Sequence, residues 1–488
     1  MTNQIFTSID NAKEYIESQF GKDGSFDVCI KEVYVRSLPV LLVYVSGLVD
    51  SNTLTIQLTP LLFEREYDQK IELNDHVDDE DAYFDEHFNF FGKSEPTDKE
   101  SFLLGVLGGT VGIVTLHGYA YNLELRNYPG RTPEEPDNEK VIRGSRDGFA
   151  ENIIINAGLI RRRIRSPQLR FELHQLSDLG QTDVAIVYMN DIVNENNLAW
   201  IRKRFEQIKQ DGLTMADKQL EELLFKQKFN PMPFVRYSER PDIIAAHLLE
   251  GHIAIVVDTS PSVIIVPITI FHLLQHAEEF RQASFIGTGT RLLRYLAAFF
   301  SLTLLPIWYL LATHDNHLPE ALSFIGAKED SHIPLFLQII IASLGIEYLR
   351  IAAIHTPTPL STAMGLVAGV IIGQIAIEVG LFSNEVVLYT AVVAIFSFAI
   401  PTYELSAALK YFQFFIIILT ALWGANGFFI AAFLTFSYIC HLRPMNIPYM
   451  WPLVPFFPNA FSRVFIRFPM ADDALRPYIV GAKYRKRS

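Results

Sequence analysis

Long apolar segments with few charges occupy the C-terminal part of the 488-residue chain, whereas the first 290 residues mix short apolar runs with many charges. Residues 292–312 hold a single charge, Arg294, which lies close enough to the segment's end to snorkel. At about 1.5 Å per residue, a helix of this length covers the hydrocarbon core of a bilayer. The other apolar segments are residues 333–346, 361–380, 386–400 and 411–440. The pattern predicts an α-helical multi-pass membrane domain over residues 291–440.

Two of these segments do not have the length of one upright helix. Residues 333–346 either form a re-entrant segment or span by continuing through Glu347 and Arg350 to about residue 354. Residues 411–440 carry no charge and would form a helix of about 45 Å, which must tilt strongly or break. The sequence GANG at residues 424–427 offers a flexible, polar point for a hairpin or paired half-helices.

An internal repeat organises the N-terminal part of the chain. Residues 42–54 (LVYVSGLVDSNTL) match residues 186–198 (IVYMNDIVNENNL) without a gap. Each copy begins as a β-branched apolar run typical of a buried strand and ends in a turn rich in Asp and Asn that leads toward a helix. The repeat predicts two related α/β subdomains; chance similarity between common strand and turn patterns is the alternative.

These patterns predict a fold with an α/β cytoplasmic region of two related subdomains followed by the helical membrane domain. The predicted linker at residues 64–100 contains a run of carboxylates. This run lacks the glycine turn that a calcium-binding loop requires, so a solvated linker is favoured over a cation site. The predicted boundaries are a first subdomain at residues 1–63, an acidic linker at 64–100, a second subdomain at 101–290, the membrane domain at 291–440 and a basic, proline-rich tail at 441–488.

The charge distribution sharpens the division into a soluble and a membrane part. Residues 1–290 hold 28 Lys/Arg and 44 Asp/Glu, while residues 291–488 hold 13 and 10. Half of all residues are hydrophobic and 19% are charged. This composition excludes an all-soluble enzyme, a disordered chain and a nucleic-acid binder with a basic footprint. The two cysteines, Cys29 and Cys440, do not suffice for a disulfide framework or a cysteine zinc site.

Basic residues near the spans predict the orientation. Arg281, Arg291 and Arg294 precede or begin the first span, the loop at residues 314–332 is acidic, and the tail is basic. Under the positive-inside rule, both termini are expected to be cytoplasmic. The number of crossings is then even, so either the second or the fifth apolar segment does not cross as a single helix.

Motifs for enzymatic chemistry are not evident, and the chain is not expected to be an enzyme or to hold a cofactor. The glycine-rich run at residues 104–110 lacks the Lys-Ser/Thr of a phosphate-binding loop. His272 and His276 have a spacing able to hold a metal, with Glu278 and Glu279 nearby, but no third ligand is evident. Polar residues on a surface helix are favoured over a metal site there.

Residues 361–380 combine small and polar side chains. Gly365, Gly369 and Gly373 recur every four residues, while Gln374 and Glu378 lie one turn apart. The segment is either a helix-packing seam with Glu378 reaching the interface or a pore-lining helix of an oligomer. In the preceding segment, Glu347 and Arg350 form either an intramembrane or an interfacial ion pair.

A dense charged motif spans residues 134–149 and is followed by a helix that ends in three consecutive arginines. Cations at a helix end complement the helix dipole, and a basic cluster can also meet an acidic neighbouring subunit or anionic lipid. The mixed charge makes this motif a candidate contact between subunits. The candidate contact residues are Glu135, Arg143, Arg146, Asp147, Arg161, Arg162 and Arg163.

The string EEPDNEKVIRGSRDGFAENIIINAGLIRRRIRSPQL at residues 134–168 resembles the signature of A subunits of the GerA family of spore germination proteins. Other segments resemble the family in the same order, so the likeness covers nearly the whole chain: VYVSGLVDSNTL, EGHIAIVVDTSPSVIIVP, GVIIGQIAIEVGLFSNEVVLY and NIPYMWPLVPFFP. The stretch IEYLRIAAIHTPTPLSTAMGLVAG is most similar to the SpoVAF branch and differs from typical germinant-receptor A subunits. This difference argues against direct partnership with a nutrient-sensing B subunit.

The resemblance implies a multi-pass protein of the bacterial spore inner membrane whose N-terminal region and tail lie in the spore core. It further implies a ring, expected to be a pentamer, that conducts monovalent cations and amplifies the germination signal together with other germination membrane proteins. The pore-lining candidates are then Gly365, Gly369, Gly373, Gln374 and Glu378. The alternative is a non-conducting scaffold that couples germinant receptors to another channel.

Overall fold

The computed structural model describes residues 4–20, 24–35, 38–50, 52–56, 92–127, 139, 141–313, 326, 332–355, 365, 367, 369–469 and 476–483. The chain forms two compact units. The first comprises residues 1–227, 235–267 and 470–488, and the second comprises residues 228–234 and 268–469. Two β-sheets build the first unit, and the described part of the second unit is helical.

The first sheet is antiparallel, with the strand order β1-β2-β4-β5-β3. In β2, Leu41 and Val43 pack against the helices α1 and α2, while Leu42 belongs to the core on the other face. Burial on both faces explains the continuous apolar run in this strand. The elements are α1 (Ile9–Phe20), β1 (Val28–Val35), β2 (Leu38–Val45), β3 (Lys93–Ser94), α2 (Lys99–Leu107), β4 (Val111–Val114) and β5 (Ala120–Leu123).

The second sheet is also antiparallel and repeats this plan, with the order β6-β7-β9-β10-β8. In both sheets a long hairpin comes first, followed by a short edge strand, a helix and a second hairpin. The matching residues 42–54 and 186–198 begin in the equivalent strands β2 and β7, which confirms two related subdomains. The elements are α3 (Ile153–Arg163), β6 (Leu169–Leu176), β7 (Thr182–Met189), α4 (Glu195–Phe205), α5 (Ala216–Phe225), β8 (Arg236–Ser238), α6 (Pro241–Glu250), β9 (Ile253–Val257) and β10 (Val263–Val266).

The first sheet extends across the boundaries predicted at residues 63 and 101. β4 pairs with β2, so residues assigned to the second subdomain complete the first sheet. β3, which lies in the predicted linker, forms the edge strand of the sheet by pairing with β5. The sheet therefore joins segments that the predicted boundaries separate, because strand pairing connects segments that are distant in the sequence. Residues 57–91, including most of the predicted acidic linker, lie outside the described residues.

The second unit contains three helices long and apolar enough to cross a membrane within the part of the chain that the structure describes: residues 284–313, 335–353 and 403–441. The second of these is one helix through Glu347 and Arg350, as the longer of the two alternatives for residues 333–346 predicted. The helices are α7 (Ile270–Leu273), α8 (Ala277–Arg281), α9 (Ser284–Thr313), α10 (Leu335–His355), α11 (Asn384–Phe398), α12 (Tyr403–His441) and α13 (Pro458–Phe465).

The long apolar helix α12 is a hairpin. Gly424 has φ 57° and ψ −137°, which interrupts the helix at the predicted GANG sequence. The rings of Phe412 and Tyr438 lie 5.7 Å apart, although 26 residues of unbroken helix would separate them by about 39 Å. A Cβ at Gly427 would lie 1.9 Å from the carbonyl oxygen of Leu419, so the two arms touch near the break. Of the alternatives that the sequence left open for this segment, the structure has the hairpin.

Residues 476–483 return to the first unit and pack on the turn after β7 and the start of α4. Val480 is fully buried, and the backbone N–H of Lys483 donates to the carbonyl of Ile192 at 2.9 Å. The ammonium of Lys483 also pairs with Glu195 at 2.6 Å. The last described residues are therefore part of the first unit.

Candidate functional site

The glycines of the segment before α11 form a strip that no described residue covers. A Cβ atom at Gly365, Gly369 or Gly373 would meet no described atom within 4 Å. The predicted segment lies partly outside the described residues, since 356–364, 366 and 368 are among those not described. No described residue packs against the strip, and both interpretations of the segment, a helix-packing seam and a pore-lining helix, stay predictions.

The same segment turns one side toward the membrane helices and its polar side chains away from them. Ala376 is buried in a core cluster with Trp308 and Phe382. Gln374 and Glu378, on either side of it in the sequence, are exposed. Residues Ile371–Ile375 form a π-helical turn, a wider turn that is frequent at functional sites. An amide and a carboxylate are therefore presented outward from an otherwise apolar region.

The ion pair between Glu347 and Arg350 is present within α10. The guanidinium of Arg350 contacts the Glu347 carboxylate, donates to the Ser406 hydroxyl at 3.3 Å, and lies over the Tyr403 ring at 4.7 Å from its centre. Ser406 donates in turn to the carbonyl of Ser397 at 3.0 Å. The pair thus belongs to a polar cluster that links α10, α11 and α12.

The candidate subunit-contact residues divide into internal and external groups. Arg161 has no exposed surface, and its Nε donates to Asp27 at 2.8 Å, so it is not available to a second chain. Arg163 binds Asp147 at 2.7 Å within the chain. Arg143, Arg146 and Arg162 are exposed. Glu135 lies outside the described residues.

The Asp147 carboxylate is held in its charged form. Burial alone would raise its pKa, but hydrogen bonds from Arg163 and Ser145 outweigh that effect and lower the pKa below its usual value. The ion pair of Asp147 with the last residue of α3, Arg163, thus lies within the chain. The external residues on either side of it keep the role of candidate contacts.

His272 and His276 act in local capping. Nδ1 of His272 lies 2.8 Å from the hydroxyl of Thr269, and Nδ1 of His276 accepts a hydrogen bond from the Glu278 backbone at 3.2 Å. Among the described residues, no group of three His, Cys, Asp or Glu side chains has the arrangement of a metal site. The favoured interpretation placed both histidines on a surface helix, but His272 is buried.

The model of the Bacillus/Clostridium GerA spore germination protein family matches residues 14–479. The chain belongs to the GerA family. Stage V sporulation protein AF of Bacillus subtilis (strain 168) is 43% identical over 494 aligned residues, covering 99% of this chain and 97% of that protein. Spore germination protein KA of the same strain is 30% identical, covering 99% of this chain and 89% of that protein.

A solved structure is also similar to this GerA-family chain. It is the crystal structure of the N-terminal domain of the A subunit of the Bacillus megaterium spore germinant receptor GerK3. The two share 25% sequence identity with a TM-score of 0.41, over 55% of this chain and 97% of that one. Family membership and the three apolar helices identify the present chain as a membrane protein of the spore germination and sporulation group.

The GerA-family chain also contains a buried charged cluster that the sequence analysis missed. Glu279 is fully buried, accepts from Nε of Arg291 at 2.7 Å, and is contacted by Arg294 through its other oxygen. Arg294 is thus paired inside the protein, whereas the sequence predicted that it snorkels. Arg467 joins the same region by donating to the Phe280 carbonyl at 2.9 Å. The acidic pair shortly before the first span was the available signal, but the contact between Phe280 and Arg467, which are 187 positions apart, could not be found by spacing.

Proposed function

We propose that this chain assembles with copies of itself into a ring, expected to be a pentamer, that conducts monovalent cations during spore germination. The segment from Gly365 to Glu378 lines the proposed path. The observation that carries the proposal is the outward presentation of Gln374 and Glu378 beside an uncovered glycine strip. Oxygen-bearing side chains of this kind can replace part of a cation's hydration shell.

The cost of placing a carboxylate in lipid favours contact of Glu378 with water or with another chain. A carboxylate at the bilayer centre costs about 2.5–3.5 kcal/mol on insertion scales, and less where it reaches water or a partner. Glycines let neighbouring helices approach closely without side chains between them. Contacts between copies along the strip would bring several Glu378 carboxylates around one axis and leave them in contact with water.

The course of the chain supports an even number of membrane crossings. Residues 476–483 belong to the same unit as the N-terminal region, so both are expected on one side of the membrane. The two arms of α12, together with α9, α10, α11 and the segment ending at Glu378, supply an even number of crossings. The positive-inside rule then assigns the soluble unit to the cytoplasmic side, which is the spore core.

Relatives named as spore germination proteins support an association with other membrane proteins of germination. The similarity to stage V sporulation protein AF favours a role in propagating or amplifying the signal over direct nutrient sensing. The partner surface is expected on the exposed part of the soluble unit, where Arg143 and Arg146 lie.

Planar-bilayer recordings with the purified full chain test the conduction path. Glu378→Gln removes a cation-attracting charge and is expected to lower conductance and cation selectivity, while Gly369→Leu is expected to lower conductance by narrowing the path. Glu404→Gln, an exposed carboxylate in the first turn of α12, is the matched control and leaves both quantities unchanged. Unaltered currents in both test variants would sink the pore assignment.

A non-conducting scaffold is the second candidate, favoured by the exposed arginines of the soluble unit. It predicts that purified oligomers pass no current. It also predicts that Arg146→Glu disperses the assembly in size-exclusion chromatography, whereas Glu378→Gln changes neither assembly nor coupling.

A further inference from the structure

The proline-rich segment, residues 451–469, follows the last membrane helix and exposes large apolar side chains. Phe456 is 59% exposed and Phe468 is 41% exposed. Phe457 and Ile466 are also exposed, and α13 within this segment has no buried residue. Large apolar side chains left in water forgo the free energy that burial would give, so an apolar environment is expected to cover them.

This segment is fixed against the start of α9. Arg291 donates to the carbonyls of Arg463 and Val464 at 3.1 Å each. The Tyr295 hydroxyl donates to the Val464 carbonyl at 3.0 Å, and the rings of Tyr295 and Phe465 lie 4.8 Å apart. The buried Glu279 holds Arg291 in place for these contacts. The exposed phenylalanines are therefore carried by a firmly attached element.

The start of α9 lies where a membrane span meets the lipid headgroups. The helix has 30 residues and is about 45 Å long, whereas the hydrocarbon core is about 30 Å thick. Its first residues, which precede Arg291 and Arg294, therefore extend beyond the core. Phe285, in the first turn, is 90% exposed. The proline-rich segment thus continues an apolar surface that already belongs to a membrane-spanning helix.

Charge near the segment matches an anionic lipid surface. Arg281 is exposed in the helix before α9, and Arg463 lies within the proline-rich segment. An apolar side chain layer flanked by arginines is typical of elements that lie in the membrane interface, about 5–10 Å into the boundary between headgroups and acyl chains. Basic residues near such a surface are attracted to its anionic headgroups.

We propose that the proline-rich segment is an interfacial anchor that inserts Phe456, Phe457 and Phe468 into the headgroup region of an anionic phospholipid bilayer. The anchor holds the start of α9 at a fixed depth through Arg291. This lipid-binding surface is separate from the conduction path and does not depend on whether the chain conducts.

Spin-label accessibility in the full chain tests the anchor. Cys29 and Cys440 are replaced by Ser, and single nitroxides are attached in the variants Phe456→Cys and Phe468→Cys. The control is Leu179→Cys, an apolar residue of the soluble unit that is 79% exposed. The protein is reconstituted in vesicles of phosphatidylethanolamine and phosphatidylglycerol. Collision of each label with oxygen and with a water-soluble nickel chelate is then measured by power saturation.

The expected result is a ratio of oxygen to nickel accessibility severalfold higher at positions 456 and 468 than at position 179. Equal ratios at all three positions would place the segment in water and overturn the proposal. Exclusion of both reagents at 456 and 468 would show that protein covers them, which overturns it as well. Phe457→Cys and Ile466→Cys, two further exposed positions of the proline-rich segment, supply the same comparison if a label at 456 or 468 prevents folding.

Discussion

At the residue scale, the ion pair of Arg161 and Asp27 shows how a buried charge is accommodated. Neither side chain has exposed surface. The guanidinium of Arg161 also donates to the carbonyls of Ser166 at 2.8 Å and Leu169 at 3.1 Å. Removing two ions from water costs several kcal/mol each, and this set of acceptors offsets the cost. Because Asp27 immediately precedes β1 and Arg161 lies on α3, the pair ties the two subdomains together.

Removing one partner of this pair should destabilise the soluble unit strongly. Asp27→Asn leaves the Arg161 charge buried without a counter-ion, so the free energy of unfolding is expected to fall by about 3–5 kcal/mol. Replacing both residues by apolar ones, Asp27→Leu with Arg161→Met, should cost less. Urea unfolding of the full chain reports this through Trp200 fluorescence, with the other three tryptophans changed to phenylalanine. The exposed Asp178→Asn is the control; an equally large effect there would contradict the explanation.

At the element scale, α12 combines two membrane-length arms with a break that only glycine accommodates well. The positive φ of Gly424 and the contact of Gly427 with the Leu419 carbonyl are both incompatible with a bulkier side chain. The Asn-Gly pair in the break explains why the sequence already indicated a turn there. The hairpin thus changes one apolar segment into two helical arms.

Cross-linking between the two arms tests the hairpin. In a chain lacking Cys29 and Cys440, Phe412→Cys and Tyr438→Cys should be joined by a short bis-methanethiosulfonate reagent because their rings lie 5.7 Å apart. Phe412→Cys with Trp423→Cys, on the same arm, should not be joined. Adding Gly427→Val should reduce the cross-link by pushing the arms apart. Mass spectrometry of the digested protein measures the product, and cross-linking that is indifferent to Gly427→Val would argue against close contact at the break.

The elements also show what could be learned from the sequence and what could not. The repeat beginning in β2 and β7 was predictable because buried strands have continuous β-branched runs. The boundary between subdomains was not, since β4 completes the first sheet only through pairing with β2 across most of the predicted linker. The polar clusters divided in the same way. Spacing found the pair of Glu347 and Arg350, but the contact of Arg467 with the Phe280 carbonyl required the folded chain.

At the scale of the whole molecule, the charge asymmetry and the proposed ring act together. Residues 1–290 carry a net charge of −16. In a ring of several copies, this charge would raise the local cation concentration near the mouth of a central path. Added salt screens such an effect over about 10 Å at 0.1 M ionic strength. The acidic soluble unit is therefore expected to contribute to conductance mainly at low ionic strength.

A single substitution should show whether residues 476–483 protect the amides around Ile192 from hydrogen exchange. Val480→Asp places a charge in a fully buried position and is expected to release the segment, so amides around Ile192 should exchange hydrogen faster. Lys483→Ala should have a smaller effect because its ion pair with Glu195 is partly exposed. Hydrogen exchange followed by mass spectrometry gives both results, with β2 as the internal control. Faster exchange in β2 as well would point to general unfolding instead.

The return of residues 476–483 also sets an order of events during synthesis. Ribosomes make a chain from its N-terminus, and domains generally fold as their sequences emerge. The first sheet can therefore form early. The surface around Ile192 stays uncovered until all of the membrane helices and the segment after them have been synthesised. Insertion into the bilayer precedes completion of the soluble unit, so a chain interrupted within the membrane domain would leave that surface open to chaperones and proteases.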